Sequence, residues 1–137
     1  MAAALVTVEP QETVEVAIAR MLEAEAGSVA VCEEGRLVGI FTERDVLRLA
    51  GQGSAFGGLR LRDVMTTHLF TVQPEDDVLS AARLMQEKRI RHLPVVQDGN
   101  VLGILGIREV LRTLVERLWS TRDEEARETA RDLLRRG

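Results

Sequence analysis

Apolar residues along the chain follow two spacings that predict the same order of elements twice. Over residues 14–22 they recur at helical spacing, and over 28–32 and 37–41 they form two short runs separated by a polar tetrapeptide. The same order returns in the second half of the chain, over residues 78–85, 93–96 and 101–105. Each half therefore predicts a helix followed by a β-hairpin, and Asp98-Gly99 is a strong signal for a hairpin turn.

Each predicted helix has an apolar face, which we expect to enter a core. In the helices that precede the hairpins, the faces comprise Val14, Ala17, Ile18, Met21 and Leu22, and Val78, Ala81, Ala82 and Met85. A further helix follows each hairpin, beginning near Glu43 and near Ile107. Its apolar positions are Val46 and Leu47 in the first half, and Val110, Leu111 and Leu114 in the second.

The two halves are copies of one unit. At an offset of 64 residues, Val6–Ala50 aligns with Phe70–Leu114 without a gap, and 15 of the 45 positions are identical. Each copy reads as a short strand (Leu5–Val8 or Phe70–Val72), a helix, a hairpin and a second helix. A sheet of this size exposes an apolar face that one copy cannot cover. We therefore predict an α+β fold in which the copies pack face to face about a pseudo-twofold axis.

Composition and repeat boundaries divide the chain into four segments. We predict the first repeat over residues 1–50, a glycine-rich linker over 51–58, the second repeat over 59–118 and a charged helical extension over 119–137. Ser120 or Thr121 is the predicted N-cap of the extension's helix, and Trp119 is its predicted anchor. The predicted role of this helix is to dock on the module's surface, with contact to another chain as the alternative.

The overall composition, 45% hydrophobic and 29% charged residues, is that of a globular protein. The formal net charge of −4 argues against a nucleic-acid binder that relies on a basic face. Cys32 is the only cysteine, so no intramolecular disulfide or cysteine-based zinc site can form. No apolar run approaches the length of a membrane span and no signal peptide is evident, so we expect a cytoplasmic protein without a membrane partner.

The first segment that could carry chemistry is Thr42-Glu43-Arg44-Asp45, where a predicted strand turns into a helix. Thr42 and Asp45 have the spacing of a capping box, in which the carboxylate accepts a hydrogen bond from the N-cap amide. The same carboxylate could instead accept both hydroxyls of a ribose, while Thr42 and the helix amides meet a phosphate. The pattern alone favours the cap, and Thr42 could serve both roles.

The second segment is Arg89-Ile90-Arg91-His92, a run of cations before a predicted buried strand. Guanidinium and imidazole groups suit phosphate oxygens. The alternative is a solvated entry to the strand, and an isolated histidine is more often a surface residue than a ligand.

These features together resemble a CBS domain pair. The resemblance covers about residues 1–118 and is carried by the tandem repeat, by Gly39-Ile40-Phe41-Thr42-x-x-Asp45, by Asp63-Val64-Met65-Thr66 and by Arg89–Val96. It implies two βαββα units packed through their sheets, with an adenosine nucleotide or S-adenosylmethionine bound in the cleft. It also implies a regulatory role toward an attached or separate effector.

The resemblance implies a site residue by residue. Asp45 would hold the ribose, and Thr42 the ribose or the α-phosphate. Three residues would face the phosphates: Arg91, His92 and Arg108. The base would lie against Leu69 and Phe70, near Thr67 and the backbone of residues 39–41, which includes Phe41.

The equivalent cleft on the other side of the pseudo-twofold axis lacks these groups. Gly106 and Glu109 stand where the first copy has Thr42 and Asp45, and Gly27 and Ser28 stand where the second copy has Arg91 and His92. We therefore expect one nucleotide per chain.

The predicted function is a non-catalytic sensor that binds AMP, ADP or ATP and signals to a separate effector protein. No obligatory cofactor, metal cluster or catalytic triad is evident in the sequence. Two alternatives stay open: a structural or oligomerisation module without a ligand, and a module that binds S-adenosylmethionine or a dinucleotide. The resemblance also implies a homodimer, with Val16, Leu49 and Val115 as apolar helix residues available for contact.

Overall fold

The computed structural model describes residues 5–120, 128 and 131–135. The first repeat contains β1 (Thr7–Val8), α1 (Val14–Ala24), β2 (Ser28–Glu33), β3 (Arg36–Thr42) and α2 (Glu43–Gly51). A 3₁₀ turn (Phe56–Gly58) and a one-turn helix, α3 (Leu61–Val64), connect it to the second repeat. The second repeat contains α4 (Val78–Lys88), β4 (His92–Gln97), β5 (Asn100–Gly106) and α5 (Ile107–Ser120). The predicted α+β class is confirmed, as is the order of helix, hairpin and second helix in each repeat.

Both hairpins close through a two-residue turn in which each residue has a positive φ. Glu34 and Gly35 have φ of 52° and 79°, and Asp98 and Gly99 have φ of 52° and 81°. This is the conformation of a type I′ turn, whose twist matches that of the flanking strands. The turns set the register at the hairpin ends, and a one-residue shift at Val31/Cys32 and at Val95/Val96 then brings Ser28 opposite Thr42 and His92 opposite Gly106.

The five strands form one sheet in the order β1-β2-β3-β5-β4, and the two repeats meet at its centre. There β3 and β5 pair antiparallel at a single position, Arg36 opposite Asn100. Asn100 is the repeat equivalent of Arg36, and antiparallel pairing of equivalent residues places a twofold axis between them. The predicted pseudo-twofold arrangement is confirmed.

The buried apolar residues form three clusters, one in each repeat and one between them. Phe41 and Leu61 lie in the first cluster, and Leu93 and Leu105 lie in the second. The third cluster contains residues of both repeats: Ala30, Ile40 and Ile104, with Cys32, Leu37, Leu69 and Val101 against them. It includes two pairs of repeat equivalents, Ile40 with Ile104 and Leu37 with Val101, so the repeats pack through their sheets as expected.

Some predicted core positions were wrong. Leu22, Leu47 and Leu111 are exposed, whereas Leu49, expected to be available for a partner, is 4% exposed and packs in the first cluster. Successive helical residues lie 100° apart, and each buried face is narrow. In α2 the sheet is met by Val46 and Leu49, so the intervening Leu47 points away from it.

The segment that connects the repeats packs against the first one. Leu61 is fully buried in the first cluster, and its N–H donates to the carbonyl of Glu12, 2.9 Å away. In the second repeat, the predicted Phe70–Val72 strand is reduced to one parallel bridge between Val72 and Val95. That pair is the repeat equivalent of Val8 and Val31, which are paired in β1 and β2.

The helix α5 runs through Ser120, so the prediction of Ser120 as the N-cap of a separate helix was wrong; Thr121 lies outside the described residues. Trp119 was predicted to anchor the extension. Its side chain is 60% exposed, so it is not packed into the described part of the chain. Residues 131–135 are helical. Within the described part of the chain, no helix combines the length and apolar character needed to cross a membrane.

Candidate functional site

The turn between β3 and α2 places a carboxylate at the start of a helix. Thr42 is the N-cap of α2, with extended backbone, and its N–H donates to Asp45 Oδ2 over 2.9 Å. The Thr42 hydroxyl donates to the same oxygen over 3.2 Å. The capping-box interpretation of the sequence is thus realised, and it holds Asp45 in a defined position with only 9% of the residue exposed.

The other oxygen of Asp45 meets a cation of the same helix. Arg48 Nη2 lies 3.1 Å from Asp45 Oδ1 and also donates to the carbonyl of Val64 over 3.4 Å. The carboxylate is therefore held by donors on both oxygens.

Asp45 lines a cavity of about 600 Å³ between α2 and the segment that follows α3. The other lining residues are Arg44, Leu47, Arg48, Val64, Met65 and Thr66. Thr66 is fixed there by two backbone hydrogen bonds of 3.0 Å with Ile40. The cavity thus combines one acceptor with two guanidinium donors and an apolar wall.

A second cavity, of about 340 Å³, lies against the second repeat. Its lining contains three arginines, namely Arg44 of the first repeat and Arg89 and Arg91 of the second. The rest of the lining is Ala82, Met85, Gln86, Ile90 and Ile107. Arg44 lines both cavities, so the cavity that contains Asp45 and the cavity that contains Arg89 and Arg91 share one residue and are neighbours.

His92 is half-buried and lies among charged residues of both repeats. Burial lowers the pKa of its imidazole below 6.5, and the positive charge of Arg91 lowers it further. The nearby carboxylates of Glu43 and Glu109 act in the opposite direction and raise this pKa. A Cβ added to Gly27 would lie 3.1 Å from His92 Nε2 and 2.3 Å from Glu43 Oε1. The imidazole therefore sits where the N-terminal ends of β2 and α2 approach β4.

The residues predicted to contact the base do not lie together: they belong to different apolar clusters or to the surface. Leu69 packs against the shared third cluster, while Phe70 packs against the second cluster, with Lys88 Nζ 5.0 Å from its ring centroid. Thr67 is exposed. Phe41 is fully buried in the first cluster, so its side chain does not face a cavity, and only its backbone is left for the predicted contact.

The predicted phosphate ligands are also placed differently from one another. Arg91 lines the second cavity, whereas Arg108 is exposed and lines neither cavity. Arg89 belongs to the predicted run of cations and lines the second cavity, whereas Arg44 lines both cavities without having been predicted as a ligand. Arg44 is the repeat equivalent of Arg108 and is identical to it, which is the sequence signal that could have identified it.

No group of three or more histidine, cysteine or acidic side chains among the described residues is arranged to hold a metal ion. Cys32 packs at the edge of the shared third cluster, where burial raises the pKa of its thiol. The arrangement thus offers hydrogen-bond acceptors, guanidinium donors and apolar surface, which are means of binding a charged small molecule.

Comparison with known proteins agrees with this fold. The model of the CBS domain matches residues 1–51 and 61–116. The chain is 39% identical over 110 residues to the mitochondrial CBS domain-containing protein CBSX3 of Arabidopsis thaliana, a match that covers 76% of this chain and 53% of that protein. It thus spans about half the length of that relative.

Two further proteins are similar over most of their length. The CBS domain-containing protein YhcV of Bacillus subtilis is 34% identical over 108 residues, covering 78% of this chain and 76% of that protein. The crystal structure of CBSX2 in complex with AMP superposes with a TM-score of 0.71 at 30% identity, covering 82% of this chain and 88% of that one. With the family model matched twice and both repeats in the expected fold, the chain belongs to the CBS domain family.

Proposed function

We propose that this chain is a non-catalytic regulatory module that binds one adenine nucleotide, AMP, ADP or ATP, between its two repeats. Binding changes how the repeats or protomers are arranged, and a separate effector protein responds to that change. Asp45 and Thr42 bind the ribose, and cations of the second repeat bind the phosphates.

The observation that carries this proposal is that Arg44 lines both cavities. One cavity contains the Asp45 carboxylate, an acceptor for ribose hydroxyls, and the other contains Arg89 and Arg91. A nucleotide presents hydroxyl donors next to an anionic phosphate, so this order of charges complements it. The AMP bound to the similar protein CBSX2 is consistent with a ligand of this class.

Calorimetric titration of the purified chain with AMP, ADP, ATP, S-adenosylmethionine and NADH tests the proposal. We expect micromolar binding of an adenine nucleotide at one site per chain, and loss of that binding in Asp45→Ala. If only S-adenosylmethionine or NADH bound, the alternative of a module for S-adenosylmethionine or a dinucleotide would be favoured. Absence of binding by all five would leave the structural module as the function.

Because Asp45 also caps α2, its replacement needs controls. Asp45→Asn keeps an acceptor for the Thr42 amide but removes the charge, so we expect it to fold like the native chain and bind at least tenfold more weakly. Asp76→Ala removes a carboxylate that accepts from the Gln73 amide at 2.7 Å, at a turn outside both cavities. That control variant should bind like the native chain.

We also propose that the module acts as a homodimer. Leu47 on α2 and Leu111 on α5 are repeat equivalents, and both are exposed apolar residues. Light scattering coupled to gel filtration should give twice the chain mass, and Leu47→Glu combined with Leu111→Glu should halve it. A monomeric native chain would overturn this part of the proposal.

A further inference from the structure

The hydrogen bonds of Asp45 limit how it can accept a ribose. A carboxylate offers about four acceptor positions, two on each oxygen. The amide and the hydroxyl of Thr42 occupy both positions on Oδ2. Two ribose hydroxyls must therefore be accepted by Oδ1, where Arg48 already donates over 3.1 Å.

Arg48 can give way at a lower cost than the Thr42 amide. The Thr42 amide bond belongs to the cap of α2, and breaking it would expose a helix terminus. The Arg48 side chain is half-exposed, and ion pairs with an exposed partner contribute little to stability. Its second bond, to the carbonyl of Val64, is long at 3.4 Å.

We propose that Arg48 competes with the ligand for Asp45 Oδ1 and thereby sets the affinity of the site. This inference rests on the proposed function. The proposed site residues strengthen ligand binding, whereas Arg48 weakens it. Displacement of Arg48 also releases the Val64 carbonyl at the end of α3. Ligand binding is thus coupled to the segment that connects the two repeats.

Replacement of Arg48 by methionine tests this competition, because methionine keeps an unbranched side chain and removes the donors. Adenosine and AMP are the two probes, titrated into the native chain and into Arg48→Met. We expect both to bind the variant about two- to fivefold more tightly, the range expected when an exposed ion pair no longer competes. The control is Arg112→Met, which changes the exposed repeat equivalent of Arg48 on α5 and should leave both affinities unchanged.

The two probes separate competition from a phosphate contact. If Arg48 instead bound the phosphate, AMP would bind Arg48→Met more weakly while adenosine binding would be unchanged, and the inference would be overturned. Equal affinities in the native chain and the variant would also overturn it and leave the proposed function standing. If neither probe bound either chain, the inference would be overturned, whereas the proposed function would fail only if ADP and ATP also did not bind. Binding to the variant alone would support both.

Discussion

At the scale of single residues, the surroundings of His92 make the stability of the fold depend on pH. Burial lowers the pKa of His92 in the folded chain, while the unfolded chain keeps a value near 6.5. As the pH falls below 6.5, the unfolded chain takes up a proton first, so acidification favours unfolding. The stabilising contribution of neutral His92 is complete at higher pH and is lost as the pH falls through this window.

Urea unfolding at pH 7.5 and 5.5 measures this effect. We expect the native chain to lose more free energy of unfolding between these two pH values than His92→Gln does. The matched control is His68→Gln, because His68 is exposed and is the only other histidine. If the free energy of unfolding of the native chain and of His92→Gln changed equally between these pH values, His92 would not be the source of the pH dependence.

Gly39 stands where the connecting segment approaches β3 too closely for a side chain. An added Cβ would lie 2.6 Å from Met65 Sδ and 3.1 Å from the carbonyl oxygen of Thr66. Because Thr66 is bonded to Ile40 through its backbone, we expect Gly39→Ala to lower the free energy of unfolding by about 1–3 kcal/mol. Gly51→Ala is the control, since a Cβ at the end of α2 meets no atom within 4 Å; a similar loss there would contradict this explanation.

At the scale of elements, the two hairpin turns differ in how well their first residue suits a positive φ. Glu34 has φ of 52°, a conformation that asparagine adopts readily and glutamate does not. We expect Glu34→Asn to raise the free energy of unfolding by roughly 0.5–1 kcal/mol, measured in urea. Asp98→Asn should give a smaller gain, because aspartate already tolerates this region; the opposite order would contradict a type I′ preference.

The elements were predictable from the sequence because their signals are local. Apolar periodicity and turn residues indicated both hairpins and the helices that begin at Glu43 and Ile107. The buried faces were less predictable, because they depend on what the helix packs against. Leu47 and Leu49 are both leucines of α2, and only the position of the sheet determines which of them is buried.

At the scale of the whole molecule, the candidate site also combines features that local sequence predicts with features that depend on packing. The capping geometry of Thr42 and Asp45 is local, and their spacing predicted it. The contribution of Arg44 depends on how the first repeat lies against the second, because its side chain lines a cavity together with Arg89 and Arg91. Such a juxtaposition comes from the pseudo-twofold packing and has no signal at short range along the chain.

The pseudo-twofold axis generates two clefts, but their side chains are not equivalent. Gly27 occupies the position of Arg91, and a side chain there would require the Glu43 side chain to move, since an added Cβ would lie 2.3 Å from Glu43 Oε1. Ser28, which occupies the position of His92, is buried. At these two positions the second cleft therefore lacks the cations that the first cleft has for a phosphate, and it has Glu109 in place of Asp45.

We therefore expect calorimetry to give one adenine nucleotide per chain. Restoring only the ribose half of the second cleft, with Gly106→Thr and Glu109→Asp, should leave this stoichiometry at one, because Gly27 and Ser28 still stand in place of Arg91 and His92. The same titration in Arg91→Ala should weaken AMP binding at least tenfold while adenosine binding changes little, since Arg91 is proposed to contact the phosphate and not the nucleoside. Two equivalent sites in the native chain would contradict the asymmetry, and they would mean that the ribose carboxylate alone provides most of the affinity.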